Sequence, residues 1–491
     1  MLWTALYLPQ LPLDCYAQTQ AQTPFAIVEK RRVYMANAAA RAAGVRTDKP
    51  LSAALALEPA LQWQEREPRA EKAALEAMSL WALQYTSAVS IAAPHGLLLE
   101  TGGSAKLFGG LEVLLKQIAA GVAEQNYSAI SASAPTPAGA LMLARSGYSE
   151  HVNTLPELRR LLPGLPVSSL ISAQAYATTF ETLGARIIAD LLALPRDGLK
   201  RRFGDFLLDE LDRAFGHSPD PVRPIVPPQT FSCTLPLPAP AESSEALVFA
   251  SSRGLRQLEG FLRAGKRAVD RIDLTLHHER NTRHDAQDNT VLTLHLMQPS
   301  ADAKRFTLLL SERLNRHTLK RRVERITLAA PQLLRAEEIT HSLLLEEENA
   351  TKSMRDLLER LHARLGPEAV RQLQVRAEHR PEKASGDIAL LNAPHQASAK
   401  KPKEPLPVPA FGPRPAWFLD PPQPLRTVGK DPVYEGPLTL PGTPERIESG
   451  WWDGEPIQRE YFIARTREGN LLWIFRDERR ENRWFLQGYF S

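Results

Sequence analysis

Cysteine is nearly absent: the 491 residues hold only Cys15 and Cys233, far apart. That excludes a disulfide framework and a CxxC metal pair, and it suits a reducing compartment. Net charge is also small. Sixty Lys+Arg against 56 Asp+Glu leave +4, so charge alone does not argue for a nucleic-acid partner. No uncharged apolar run reaches the roughly 18–20 residues of a membrane span. The apolar start lacks a positive n-region and is broken by Pro9 and Pro12, so it does not read as a signal peptide. A cytoplasmic protein without membrane contact is expected. The chain is 43% hydrophobic and 24% charged, which is ordinary for a soluble globular protein. Its length implies three or more domains.

Proline is plentiful and divides the chain. Eight prolines fall between Pro219 and Pro240, an extended strap with few backbone donors. A second Pro-rich run, His395 to Pro424, includes Lys400, Lys401 and Lys403; it cannot bury a core and reads as a linker. In the first block, Leu2–Leu8, Gly96–Thr101 and Ile130–Ala134 read as strands. Ala36–Leu57 (broken at Gly44 and Pro50), 68–85, Leu107–Gln125 and Pro137–Arg145 read as helices. Residues 155–216 are helical throughout. The middle block reads β-α-β-β-α-β from Phe231 to Leu328, and a helix follows at Met354–Leu365. Between 231 and 331 there are 16 basic and 11 acidic residues, a local surplus of +5. His277-His278 has no third ligand at suitable spacing and reads as a strand feature.

The segment from Thr182 to Gly204 has the pattern of a helix-hairpin-helix. Its turn glycine, Gly184, would let backbone N–H groups approach a phosphate at the next helix start. Arg186, Lys200, Arg201 and Arg202 would add backbone charge contacts, as would Lys266 and Arg267 further on. The last forty-one residues hold four of the eight tryptophans. A unit under about 80 residues needs such large side chains for its core, while Trp451 and Trp452 are candidates for partner contact.

Four stretches in order carry a resemblance: Ala36 to Leu51, Gly96 to Gly102 with Leu107-Phe-Gly-Gly110, Ser131 to Leu141, and the helix-hairpin-helix. Their order and spacing resemble the Y-family (translesion) DNA polymerases over about residues 1–331. The resemblance implies an α+β multidomain fold: a palm over 1–158 with fingers inserted at about 18–66, a helical thumb over 159–226, and a β-α-β-β-α-β little finger over 231–331. A clamp-motif segment and helix (332–392), a Pro/Lys linker (393–415) and a small aromatic-rich β domain (416–491) would follow.

The departures from the family bear on chemistry. Nucleotidyl transfer needs two metal ions held by carboxylates, and Mg²⁺ takes hard oxygen ligands. The family's metal positions fall on Pro9, Pro94 and His95. The triphosphate-binding Tyr becomes Ala38, its Arg is retained as Arg41, and the phosphate-binding Lys becomes Pro137. Arg41 is thus the residue of any remaining nucleotide pocket. Asp14 and Glu100 are carboxylates nearby, and an active polymerase using them is one alternative. The expectation is a protein without catalytic residues, cofactor or metal.

These departures, with Arg446 to Gly454, Arg459 to Phe462, Leu471 to Phe475 and Trp484 to Phe490, resemble one branch of the family that lacks the carboxylates and serves SOS mutagenesis. That resemblance implies DNA binding and scaffolding beside a RecA-like protein and an error-prone DnaE-type polymerase, tethered to the sliding clamp. The clamp peptide would be His341, Ser342, Leu343, Leu344 and Leu345, with His341 in place of Gln and Leu345 in place of Phe. A DNA-repair accessory without clamp binding is the other alternative. The helix at Met354–Leu365 and the run Arg376–Glu382 also resemble that branch, with no assigned chemistry.

Overall fold

The computed structural model describes residues 1–16, 23–279, 289–319, 321–336, 345–366, 368–389 and 413–490; for 345–352 it describes the backbone alone. The chain separates into two compact units, Met1–Arg364 and Leu365–Ser491. Among the described residues no helix is long and apolar enough to cross a membrane.

The first unit opens with β1 (Trp3–Tyr7), α1 (Leu11–Asp14), β2 (Phe25–Glu29), β3 (Arg32–Ala36), α2 (Ala38–Ala42), α3 (Leu51–Leu57) and β4 (Gln62–Glu65). There follow α4 (Pro68–Ala82), β5 (Val89–Ala92), β6 (Gly96–Glu100), α5 (Leu111–Glu124), β7 (Ile130–Ala134) and α6 (Pro137–Arg145). The four strands β5-β6-β1-β7 form one antiparallel sheet. Period-two alternation divides its side chains. Leu6, Leu97 and Leu99 join α4 and α5 in one core, while Ala5, Leu98, Ala132 and Ala134 pack with α6 in another.

Two details differ from the sequence reading. The helix expected from Leu107 begins only at Leu111, because Gly109 and Gly110 both take positive φ, a conformation that glycine alone adopts cheaply. A second sheet, β3-β2-β4, was not foreseen. Its β4 pairs in parallel with β2 from more than thirty residues away, so no local pattern announces it.

Six short helices follow: α7 (Leu155–Leu161), α8 (Ile171–Gln174), α9 (Ala177–Leu183), α10 (Ile188–Leu192), α11 (Arg196–Phe203) and α12 (Asp205–Ala214). Phe180 stacks on Phe203 with centroids 4.5 Å apart, and Tyr176 meets Phe203 edge-on at 5.1 Å. Next come β8 (Phe231–Ala241), α13 (Ser244–Ala264), β9 (Arg267–His278), β10 (Asn289–Ser300), α14 (Ala303–Arg316), β11 (Val323–Ala330), β12 (Leu334–Arg335) and α15 (Leu345–Leu365). The strand order is β10-β9-β11-β8, with β12 on β9. The strand β8 runs four residues beyond the expected Leu237, despite Pro236, Pro238 and Pro240. It lies at the sheet edge, where a missing N–H costs no ladder bond.

The second unit contains β13 (Arg371–Val375), β14 (Ser385–Ala389), β15 (Trp417–Pro424), β16 (Arg426–Val428), β17 (Asp431–Val433), β18 (Glu445–Ser449), β19 (Ile457–Arg465), β20 (Leu471–Asp477) and β21 (Arg483–Tyr489). Five of them form an antiparallel sheet, β15-β21-β20-β19-β18. Trp473, Tyr461, Phe475 and Phe485 fill one face, and Ile474, Leu486 and Trp484 fill the other. The fold class is therefore α+β, with an additional C-terminal β unit.

Candidate functional site

The strands β1 and β6 run antiparallel with Tyr7 opposite Gly96, and the Leu8 amide donates to the His95 carbonyl at 2.8 Å. Pro9 and Pro94-His95 therefore leave the same end of the sheet. Carboxylates at these positions would converge there. Proline offers no ligand, and imidazole is a poor partner for Mg²⁺. A two-metal centre does not fit these residues. Among the described residues no group of three or more His, Cys, Asp or Glu is arranged to hold a metal ion.

A hydrogen-bonded ion cluster lies beside that strand end. His95 Nε2 sits 3.5 Å from Glu71 Oε2, close enough to face its charge but not hydrogen-bonded to it. Glu71, in the first turn of α4, is buried. Arg66 donates to both its oxygens, at 2.7 and 3.0 Å, and to Glu29 at 3.2 Å. The Arg66 guanidinium also lies 4.2 Å from the Tyr34 ring centroid. Burial works against the Glu71 charge, but His95 and Arg66 outweigh it and hold the carboxyl down at about 2. Such a clamped anion has a positioning role rather than a proton-transfer one.

The two displaced carboxylates are also committed. Asp14 Oδ2 accepts from the Ser128 amide at 2.8 Å. Burial pushes its pKa up to about 6, against the opposing pull of Ser128 and Arg253. Arg253 comes from α13; it donates to the Asp14 and Cys15 carbonyls at 2.5 and 3.3 Å and lies over the Tyr127 ring. Glu100 pairs in register with Trp3, at the far end of the ladder from Gly96. Five residues from His95, it is displaced by about 16 Å along the strand. Its oxygens accept from the Leu2 and Gly103 amides. The structure does not bring Asp14, Glu100 and the strand end together into a metal site.

Arg41 lies exposed in α2 and donates to the Ala36 carbonyl at 2.9 Å. Pro137 is the first residue of α6, a position that tolerates a missing N–H. The next amide, of Ala138, is taken by Asp220 at 2.8 Å.

Gly184 ends α9 with φ +72°. The amides of Arg186 and Ile187, where a phosphate was expected, donate instead to Asp190 Oδ2 at 2.8 and 3.0 Å. The helix dipole that would attract an anion is already capped from within. Lys200, Arg201 and Arg202 form the last turn of α11, not a helix start. All three are exposed, and Lys200 pairs with Asp205 at 2.9 Å. Lys266 turns α13 into β9 with φ +47°, and Arg267 begins the strand. His277 and His278 are occupied by Asn289, Thr327, Thr290 and the Arg321 carbonyl. His341, Ser342, Leu343 and Leu344 lie outside the described residues; Leu345 begins α15.

Sequence reasoning missed Arg66, Glu71, Arg253 and Arg380. The one available signal was Arg253, a charge among the apolar positions of α13 (Leu247, Ala250, Leu258 and Phe261), where an unpaired charge does not belong. Arg380 and Glu382, in a run without assigned chemistry, prove to be anchors. Arg380 holds Asp453 and Glu378, and Glu382 holds Arg459 at 3.0 Å. Trp451 and Trp452 lie exposed in the turn between β18 and β19.

The fold and this site describe a polymerase-like protein whose strand end holds Pro9, Pro94 and His95. Comparison with known proteins agrees with that class. Residues 15–145 match the IMS family, impB/mucB/samB. More particularly, the chain is similar to Protein ImuB of Caulobacter vibrioides. It is 26% identical over 469 residues to that protein from strain NA1000 / CB15N, covering 89% of this chain and 98% of the relative, and equally so to that from strain ATCC 19089 / CIP 103742 / CB 15. Among solved structures, a Dbh ternary complex matches 68% of this chain and 99% of its own at 18% identity, with a TM-score of 0.37. DinB from Sulfolobus solfataricus matches 69% and 100% at 17% identity, also with a TM-score of 0.37. The resemblance to an ImuB-type protein read from the sequence is thus met by likeness over nearly the whole chain.

Proposed function

We propose that this protein is a non-catalytic polymerase homologue that binds primer-template DNA and scaffolds SOS-induced translesion synthesis. It links the sliding clamp to an error-prone DnaE-type polymerase and a RecA-like protein of the ImuA kind. The observation that carries the non-catalytic part is the strand end. Three positions that a polymerase would fill with carboxylates hold Pro9, Pro94 and His95, and His95 faces the Arg66–Glu71 pair. The engagement of Asp14 by Ser128 and of Glu100 by Leu2 and Gly103 weighs against a displaced metal site.

DNA binding on this reading is a backbone affair. Exposed Arg186, Lys200, Arg201, Arg202 and Lys266, with Arg267, supply charge and no base readout. The clamp contact is assigned to His341–Leu345, with Leu344 and Leu345 as pocket plugs, and the protein contacts to the C-terminal unit.

The test is primer extension by the purified protein alone, with Mg²⁺ or Mn²⁺ and four nucleotides, on a primed template it demonstrably binds. DNA bound without extension is the expected result. Metal-dependent extension that Asp14→Ala or Glu100→Ala abolishes would overturn the reading.

A further inference from the structure

The helix α13 buries two different stripes. Leu247, Ala250, Leu258 and Phe261 join the core of the β8–β11 sheet, and a Cβ at Gly254 would meet Cys233 and Leu235 of β8. Arg253, Arg256, Gln257 and Gly260 lie at i, i+3, i+4 and i+7, so they share a second stripe. That stripe meets the helices of the first sheet. Arg253 is 3% exposed and caps the C-terminus of α1 through the Asp14 and Cys15 carbonyls. Arg256 caps α5 at the Glu124 carbonyl, with the Glu124 carboxylate 3.7 Å away. The negative ends of two helices thus hold two guanidiniums. At Gly260 a Cβ would lie 2.5 Å from Trp81 Cδ1 and 2.9 Å from the Trp81 carbonyl, so α13 and α4 meet at backbone distance.

The seam is close-fitting but polar, whereas a helix face buried for good is ordinarily apolar. It is also incompletely satisfied. Gln257 is wholly buried, and neither of its amide atoms finds a partner among the described residues; nor does Arg253 Nε. These groups lack hydrogen bonds only while the seam is closed, because water supplies them once it opens. The connection has the length to allow opening. Sixteen residues separate α12, ending at Ala214, from β8, starting at Phe231, enough for roughly 50 Å of extended chain. Guanidinium groups bond charged oxygens more strongly than carbonyls, so DNA phosphates offer Arg253 and Arg256 better acceptors than these helix ends. We infer that α13 is a latch: it holds the β8–β11 sheet against α1, α4 and α5 in the DNA-free chain, and primer-template DNA selects the chain with the latch open. The inference rests on the DNA-binding part of the reading above.

Hydrogen–deuterium exchange of the full chain, with and without primer-template DNA, reads the seam at residues 77–84 and 122–127. DNA should speed exchange there, the reverse of burial under a ligand. Gly260→Leu wedges α13 away from Trp81. It should exchange fast without DNA and bind DNA at least about threefold tighter, because apparent affinity scales with the fraction of open chain. Gln257→Leu removes the unpartnered amide; it should slow seam exchange and weaken DNA binding by a similar factor. The two variants move in opposite directions, which a permanently closed seam would not produce. Should Gly260→Leu fail to fold, Gln257→Leu decides the question alone. DNA bound with seam exchange unchanged or slowed, or a Gln257→Leu chain that binds DNA as the wild type does, would overturn the inference and leave the DNA-binding reading standing. A wild-type chain that binds no DNA would remove both.

Discussion

Replacing Glu71 by Gln tests whether the strand end is held by its ion cluster. The carboxyl titrates at about 2 instead of its usual 4.5. At about 1.4 kcal/mol per pH unit, that difference is worth roughly 3 kcal/mol at neutral pH. Glu71 is 7% exposed and Arg66 19%, so solvent screens little of this. Arg66 keeps its contact to Glu29 at 3.2 Å, and glutamine can still accept one bond, so the expected loss is about 2–3 kcal/mol. For a unit of this size that is a fall of about 3–4 °C in Tm. A depressed carboxyl contributes stability above its unfolded pKa and loses it as pH falls through the folded one. The gap between wild type and Glu71→Gln should therefore close between about pH 4.5 and 2. Thermal or urea unfolding at stepped pH measures it. Adding Arg66→Met should recover part of the loss, because it removes the guanidinium left without Glu71, and the Glu29 carboxylate that it frees is largely solvated. A gap below about 0.5 kcal/mol at pH 7, or one that persists at the acid end, would refute the reasoning.

Asp14 has the opposite sign. Its raised pKa, about 6 against 3.8, means that the folded chain favours the proton, so its penalty is absent below about pH 4 and full above about pH 6. Asparagine keeps the acceptor for Ser128; Asp14→Asn should stabilise by about 1–2 kcal/mol at pH 7.5, after discounting for partial solvation, and by nothing at pH 4, as read by urea unfolding. Replacing Lys200, Arg201 and Arg202 by Ala should weaken primer-template binding and reduce the log-log salt slope by about 2–3, near 0.9 per lost phosphate contact; an unchanged slope in fluorescence anisotropy would remove this turn from the DNA surface. Leu344→Ala/Leu345→Ala should abolish clamp pull-down, and retention would favour an accessory without clamp contact.

Elements with a local signature were legible in the chain. Residues 130–134 and 137–145 appear with the bounds the pattern gave, because strand alternation and a Thr-Pro helix start are near-neighbour properties. The β2–β4 pairing was not legible, since a parallel ladder between residues 25–29 and 62–65 leaves no mark in either run. The candidate site divides the same way. Pro9, Pro94 and His95 are single positions, readable one at a time. The cluster beside them draws Glu29, Arg66, Glu71 and His95 from four segments, and each alone is an ordinary charged or polar residue. Asp190 capping the amides three and four residues ahead of it is a local contact, and its signal was present in the chain beside Gly184.

The cluster also gives a physical reason why Pro9, Pro94 and His95 suit one strand end together. Several carboxylates at one strand end repel one another; at about 4 Å a pair costs on the order of 4 kcal/mol at an effective dielectric near 20. Divalent cations relieve that repulsion; without them a strand end must relieve it by other means. Two of the three positions here are proline, which adds no charge, and the third is an imidazole that faces an anion. That anion is shared with a guanidinium, so the buried Glu71 charge near the strand end has its counter-ion within the chain. Restoring a carboxylate by His95→Glu alone would set it against Glu71 and should destabilise the unit at neutral pH. The penalty should be the same with and without Mg²⁺, because the other two ligand positions remain proline. A return of stability on adding Mg²⁺ would mean that the strand end still forms a metal site, and that the non-catalytic reading is wrong where it is most specific.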